Sequence, residues 1–429
     1  MGSPAVRSEP AIQAGLRMTV ISRSVFPLHG VGGLERHTHD LVKHLAQRHV
    51  AVSVITRPPS HTGTRDGWPG LPVVVFTVPY VTFPGAGRRG TTVIDRSTAY
   101  PLFGYRAGRL AARLAAAGRT DLVYGLGAAA FGYALARRHR PETTVPWLFN
   151  PQGLEEFGGL DGAFGGQSLK RIGYAPLRSV VRVCARAADR VIATDRAIEP
   201  AVARHLAVGP DRMRLIPNAI DVAAVMAHAG AGDAVRLRAR YGIGPDEMLL
   251  VSVGRIERNK GFHLLADALA LVADRPWHWV LVGDGPHRRV VDEHIRESGI
   301  SGRVILTGRV DDATLHAWYE AATLFVHPTQ YEGSSLVTLE AMAHGRAVLA
   351  TLAGGLPDKV RPGETGWLVA PGDVPALADG LRTAFDAALR LPAMGVAGRA
   401  LVAAEFSWTA VIDRFLAVCR ELLAPSRTS

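Results

Sequence analysis

The sequence predicts an α/β protein of two doubly wound domains facing a central cleft. Length is the first observation: 429 residues exceed what one ordinary core supports and suit two domains of about 200 residues each. The second is a series of short, β-branched runs that are apolar on both faces, as strands of a covered parallel sheet must be. The third is the helical, Ala/Arg-rich sequence between them, which implies βαβ units.

In chain order the first series of runs is Met18–Ser22, Val50–Thr56, Val73–Val78, Leu122–Tyr124, Trp147–Phe149 and Val191–Ala193. The second is Leu249–Val253, Trp279–Val282, Val304–Leu306, Leu324–Val326 and Val348–Ala350. Two series predict two sheets. The expected division is a flexible N-terminus over 1–17, a first domain over 18–208 and a second over 209–406. The boundary falls near Gly209–Asp211, just before the run Met213–Pro217. Residues 227–233, AHAGAGD, read as a loop. A last helical stretch, Trp408 to Leu423 within 407–429, follows the second sheet and could return to the first domain.

Composition narrows the class. Hydrophobic residues make up 48% and charged residues 20%, a globular balance. The net charge of +11 favours anionic partners such as nucleotide phosphates or acidic lipid surfaces. Only four lysines occur (Lys43, Lys170, Lys260, Lys359), so the surplus is arginine, and an evenly basic surface explains it equally well. No nucleic-acid module or interleaved aromatic-basic stretch is present, so nucleic acid is not an expected partner. Cys184 and Cys419 form no metal or redox spacing and suit a reducing, cytoplasmic setting. The N-terminal sequence carries no apolar core of a secretory signal. The uncharged run Leu122–Ala136 falls short of the roughly 20 apolar residues a spanning helix needs. Any membrane contact is expected to be peripheral, at the inner face.

Three motifs carry chemistry. In 29–36, HGVGGLER, Gly32 and Gly33 follow the first strand and open a helix. Glycines there let backbone amides approach a phosphate at a helix N-terminus, although a plain strand-to-helix turn reads the same. The stretch lacks the GxGxxG spacing of a nicotinamide-dinucleotide site. In 254–261, GRIERNKG, Arg255 and Lys260 leave the C-terminal end of a strand, where open α/β sheets bind ligands. A guanidinium fork and an ammonium point charge together suit a diphosphate. In 331–345, YEGSSLVTLEAMAHG, Glu332 and Glu340 stand in an E-x7-E spacing around Gly-Ser-Ser. Ser334 reads as the cap of a helix starting near Ser335. Its first amides would face phosphate or sugar oxygens, and each carboxylate could accept from neighbouring hydroxyls.

These motifs, in this order, resemble family 4 of the retaining GT-B glycosyltransferases, whose hallmark is E-x7-E. PNAIDV at 217–222, VGDGP at 282–286, TGRV at 307–310 and GGLPDKV…GETGWLV at 354–369 extend the resemblance over roughly residues 18–422. It implies two Rossmann-like domains and a nucleoside-diphosphate sugar (UDP or GDP) as donor substrate. It implies no required cofactor and no metal. Glu332 would hold hydroxyls of the transferred hexose and Glu340 the ribose. Arg255 and Lys260 would bind the diphosphate with Gly33. Backbone around Arg309 and Val310 would meet the base, and amides of Ser334, Ser335 and Leu336 the diphosphate and sugar. Transfer would retain configuration by front-face attack, without a protein nucleophile, the leaving phosphate taking the acceptor's proton.

Two departures stand out. Many relatives carry P-H-G where 150–157 reads NPQGLEEF, which places Gln152 and Gly153 at the acceptor- and sugar-positioning site. Glutamine can position a hydroxyl but cannot titrate near neutral pH. Asp358 stands where glutamate is commoner. Competing readings are a nucleotide-sugar epimerase or hydrolase on the same fold, and a non-catalytic nucleotide-sugar-binding protein.

Elsewhere, His37, His39 and His44 share one helical stretch but not a metal-binding face, and solvated histidines explain them. Arg88 to Arg113 mixes Arg89, Arg96, Arg106, Arg109 and Arg113 with Tyr100, Leu102, Phe103, Tyr105 and Leu110. Such a stretch could lie on an anionic membrane, or simply cover the first sheet. The acceptor stays open between a glycolipid or glycan precursor and a small-molecule natural product, and oligomeric state is not legible.

Overall fold

The computed structural model describes residues 15–29, 33–59, 71–82, 91–152, 154–157, 172–228 and 230–424. Gly32, Gly153 and Arg89 lie outside them. The chain forms two compact units. One comprises Met1–Ala193, Glu199–Leu215 and Ile412–Ser429; the other comprises Thr194–Ile198 and Ile216–Val411.

Among the described residues the first unit holds seven strands: β1 (Arg17–Ile21), β2 (Ala51–Thr56), β3 (Val74–Thr77), β4 (Leu122–Leu126), β5 (Trp147–Asn150), β6 (Arg190–Ala193) and β7 (Met213–Leu215). Their order is β3-β2-β1-β4-β5-β6-β7, every pair parallel. The central strands are buried along their whole length, as uniform apolarity predicts: β4 and β5 are covered at every residue. The run Met213–Pro217 supplies the edge strand of this sheet, and the grouping changes at Ile216. At that edge Glu421 accepts from Arg190 and Arg214, each at 2.5 Å. These hydrogen bonds, Arg214 foremost, pull the Glu421 carboxyl down to about 2.

The second unit holds β8 (Met248–Val253), β9 (Trp277–Val282), β10 (Val304–Gly308), β11 (Leu324–His327), β12 (Ala347–Thr351) and β13 (Gly366–Val369). The order is β10-β9-β8-β11-β12-β13, again all parallel. Apolar clusters cover both faces, one around Phe325, Leu339 and Met342, the other around Phe262, Leu265 and Trp277. Two polar side chains buried between them, Trp279 and Ser252, are paired. Trp279 Nε1 donates to Ser252 Oγ at 3.1 Å, and Ser252 donates to the Val326 carbonyl at 2.7 Å. In both sheets the strand order reverses beside the first strand, which creates a switch point between β1 and β4 and another between β8 and β11.

Several local expectations change. The 227–233 stretch is not wholly a loop: Ala231 begins a helix, Ala231–Arg240, opened by Gly230 in extended conformation. β13 is an additional strand, paired with β12. His37, His39 and His44 are half-buried rather than solvated, and burial pulls His37 down to about 4. The stretch after Thr91 folds as Thr91–Ser97 and Ala99–Ala116, and the second helix turns Tyr100 and Phe103 into the core. Leu102 and Tyr105 on that helix stay exposed, as does Ile94 on the helix before it. Among the described residues no single helix is long and apolar enough to cross a membrane.

Candidate functional site

The loops leaving β8 and β11 flank the switch point of the second sheet, where ligands of doubly wound sheets bind. Arg255–Lys260 lies on the first loop and Glu332 on the second. Backbone and short side chains stitch the two together. The Gln330 amide donates to the Asn259 carbonyl at 2.7 Å, and Thr329 Oγ1 donates to the same oxygen at 3.0 Å. Gly261 permits that approach, and Gly354, on the loop after β12, permits a second one against the Glu332 loop. Gly261 has φ +69°, and a Cβ there would overlap the Pro328 carbonyl oxygen. Gly354 has φ +53°, and a Cβ there would overlap the Glu332 carbonyl oxygen. Any other residue would push the Glu332 loop away.

Lys260 Nζ donates to Glu332 Oε2 at 2.7 Å. A second donor was not foreseen from the sequence: His327, the last residue of β11, lies 2.8 Å from the same oxygen through Nε2. A carboxylate only accepts, so this nitrogen carries the proton. His327 is fully buried and shares its sheet face with Phe325, two residues back. Its Nδ1 meets no partner among the described residues. Burial raises the Glu332 pKa, but the His327 hydrogen bond and charge, followed by those of Lys260, outweigh it and bring it to about 2. Glu332 is therefore ionised at neutral pH. Both partners occupy Oε2, which leaves Oε1 as the acceptor without a partner among the described residues. The other cation, Arg255, is exposed and pairs with Glu257 at 3.2 Å.

Helix Leu336–Ala343 starts beside Glu332. Its cap is Ser335 rather than Ser334: Ser335 is extended, and its Oγ accepts from the Thr338 amide at 3.4 Å. Ser334 Oγ is buried without a partner among the described residues. Glu340 lies on the same helix and accepts from Tyr319 Oη at 2.8 Å. Arg309, exposed, and Val310, half-buried, follow β10 at the same end of the sheet.

Asp358 and Lys359 belong to this unit as well. Asp358 accepts from the Arg196 amide at 2.6 Å and meets the Arg196 guanidinium at 3.3 Å, so the shorter carboxylate docks the Thr194–Ile198 segment. Lys359 is buried and donates to the Gly355 carbonyl at 3.1 Å. Burial lowers its pKa against the pull of Asp195, Asp358 and Glu332.

In the first unit Gly33 opens helix Gly33–Gln47. Gln152 follows β5 with φ +66°, uncommon for a residue other than glycine. Asn150 supports the turn: its Oδ1 accepts from the Gln152 amide at 2.8 Å, while its Nδ2 donates to Tyr124 Oη at 3.0 Å. Gln152 Nε2 is buried and has no partner among the described residues.

Comparison with known proteins agrees with this architecture. Residues 31–224 match the family described as Glycosyltransferase Family 4, and residues 247–386 match Glycosyl transferases group 1. D-inositol 3-phosphate glycosyltransferase 1 of Catenulispora acidiphila is 32% identical over 56% of this chain and 59% of its own length. The chain thus spans little more than half of that relative. Alpha-maltose-1-phosphate synthase of Mycolicibacterium smegmatis is 32% identical over 59% of this chain and 68% of its own. Among solved structures, Alr3699/HepE of Anabaena in complex with UDP superposes with a TM-score of 0.70 at 21% identity, covering 95% of this chain and all of that one. With both halves of the fold and the sequence relatives in agreement, the chain belongs to family 4 of the GT-B glycosyltransferases.

Proposed function

We propose that the protein transfers a hexose, with retention, from a UDP- or GDP-sugar to a hydroxyl of an acceptor. The observation that carries this reading is the half-occupied Glu332 carboxylate at the switch point. Oε2 is fixed by two donors, Oε1 has no partner among the described residues, and a helix N-terminus lies alongside. Such a carboxylate accepts a sugar hydroxyl in one orientation, and it stays ionised down to about pH 2.

Lys260 rests on Glu332, and Arg255 on Glu257. A diphosphate brings more negative charge than either partner and draws both cations toward it. Amides of Ser334, Ser335 and Leu336 add the partial charge of the helix end. Charge then develops on the leaving diphosphate among prearranged donors, which is where such donors lower a barrier. The bond from the anomeric carbon to the phosphate oxygen breaks while the acceptor oxygen bonds on the same face. The acceptor's proton passes to the leaving phosphate. Glu332 orients the sugar throughout. Glu340 holds the ribose, and Arg309 and Val310 flank the base. The family resemblance further assigns Gly32 and Gly33 to the donor, and Gln152 and Gly153 to positioning the acceptor or sugar. The UDP bound by the Anabaena protein makes uridine the first nucleotide to try.

The test incubates purified protein with UDP- and GDP-sugars and follows free nucleotide with and without acceptor extracts. Release that depends on acceptor supports transfer. Release without it indicates a hydrolase or epimerase. No release with any donor overturns the proposal.

A further inference from the structure

Glu340 does not stand alone on its helix. Tyr319, on helix Asp312–Ala321, donates to its Oε2 at 2.8 Å and is fully buried. Burial, reinforced by the Glu340 charge, holds the phenol protonated well beyond its ordinary range, so Tyr319 is a permanent donor.

The Tyr319 ring is itself locked. It stacks on His344 at 5.6 Å with 17° between planes. His344 is completely buried and ends the Glu340 helix. Its Nδ1 lies 2.8 Å from Glu320 Oε1, and its Nε2 lies 2.9 Å from His316 Nδ1. The hydrogen bond from His344 pulls the Glu320 carboxyl below its usual range, against burial. Glu320 is therefore an acceptor, and His344 Nδ1 carries a proton toward it. One proton lies between His344 Nε2 and His316 Nδ1. Arg346, 3.6 Å from Glu320, closes the far end, and His228 stacks on His316 at 5.1 Å. The chain ties the 312–321 helix to the end of the helix that bears Glu340.

Accepting from two ribose hydroxyls demands a fixed carboxylate plane. A carboxylate free to rotate spreads its lone pairs over many directions, whereas one anchored through Oε2 does not. We propose that Tyr319 is a positioning residue for nucleotide recognition, setting the Glu340 carboxylate for the ribose, and that the Glu320–His344–His316 chain sets Tyr319. The inference rests on the reading of Glu340 as the ribose acceptor.

The experiment is calorimetric titration of UDP, GDP and their 2′- and 3′-deoxy forms into wild type, Tyr319→Phe, His344→Gln and Glu340→Gln. No acceptor or turnover is required. Wild type should prefer a ribonucleotide over its deoxy forms, because a site built for a hydroxyl rejects a ligand lacking it. Tyr319→Phe should reduce that preference about three- to tenfold, the net worth of one ordinary hydrogen bond. His344→Gln should reduce it in the same direction by less. A purely structural Tyr319 would lower thermal stability and leave the preference intact; that result overturns the inference. Full preference in Glu340→Gln, or binding of no nucleotide, overturns the ribose reading itself.

Discussion

His327 Nε2 and Lys260 Nζ converge on one oxygen of Glu332, at 2.8 and 2.7 Å, and the other oxygen has no partner among the described residues. In the proposed reaction the lysine departs for a phosphate. The buried histidine cannot, so it keeps the carboxylate in place when the lysine leaves. His327→Gln should therefore weaken kcat/KM about tenfold. It should also raise the Glu332 pKa, moving the acid limb of the activity profile to higher pH. An unchanged acid limb would assign His327 to packing alone.

The same carboxylate makes stability depend on pH. Its folded value of about 2 lies below the ordinary 4.5, so its stabilisation is present above about pH 5 and is lost as pH falls toward 2. The difference amounts to at most about 3 kcal/mol. Urea unfolding of wild type and Glu332→Gln between pH 6 and pH 2.5 checks this. The wild-type curve should be steeper, and parallel curves would contradict the assigned pKa.

Gly354→Ala places a methyl group against the Glu332 carbonyl at a left-handed position. It should destabilise the second unit by at least about 2 kcal/mol and weaken nucleotide binding with it. Differential scanning calorimetry reads the first effect. Titration at a temperature where the variant is folded reads the second.

Both cysteines are buried, and burial lifts their thiols, Cys419 to about 12 and Cys184 higher still. A thiol reagent at neutral pH should find neither reactive in the native protein and both reactive in denaturant. Rapid native labelling would place one of them at the surface.

Arg255 tests the diphosphate assignment from the exposed side. Arg255→Ala should lower kcat/KM about a hundredfold if the guanidinium stabilises developing charge. A variant with wild-type kinetics would leave its pairing with Glu257 as its only role.

Much of the fold was legible because parallel strands covered on both faces must be apolar throughout; β4, β5, β8 and β12 are such runs. β13 escaped because Gly366–Val369 is short and only partly covered. The run Met213–Pro217 was read as lying beyond the boundary, in the second domain, yet its strand pairs with β6, since an edge strand pairs according to space rather than chain order. At the site, the spacing of Glu332, Glu340, Arg255 and Lys260 was visible as charges in Gly-rich loops after strands. His327, Tyr319 and His344 were not. A lone histidine ending an apolar strand, or a tyrosine within an apolar helix face, reads as core until its partner is seen. Asn150 was likewise invisible as the support of Gln152, because its role lies in a turn only two residues long.

The most direct test of the central claim, a nucleotide-sugar site between the β8 and β11 loops, is titration of UDP and GDP into wild type and Lys260→Ala side by side. At least one should bind wild type in the micromolar range and bind Lys260→Ala at least about tenfold more weakly, with thermal stability preserved. Equal affinity in the two proteins, or no binding of either nucleotide, would contradict it.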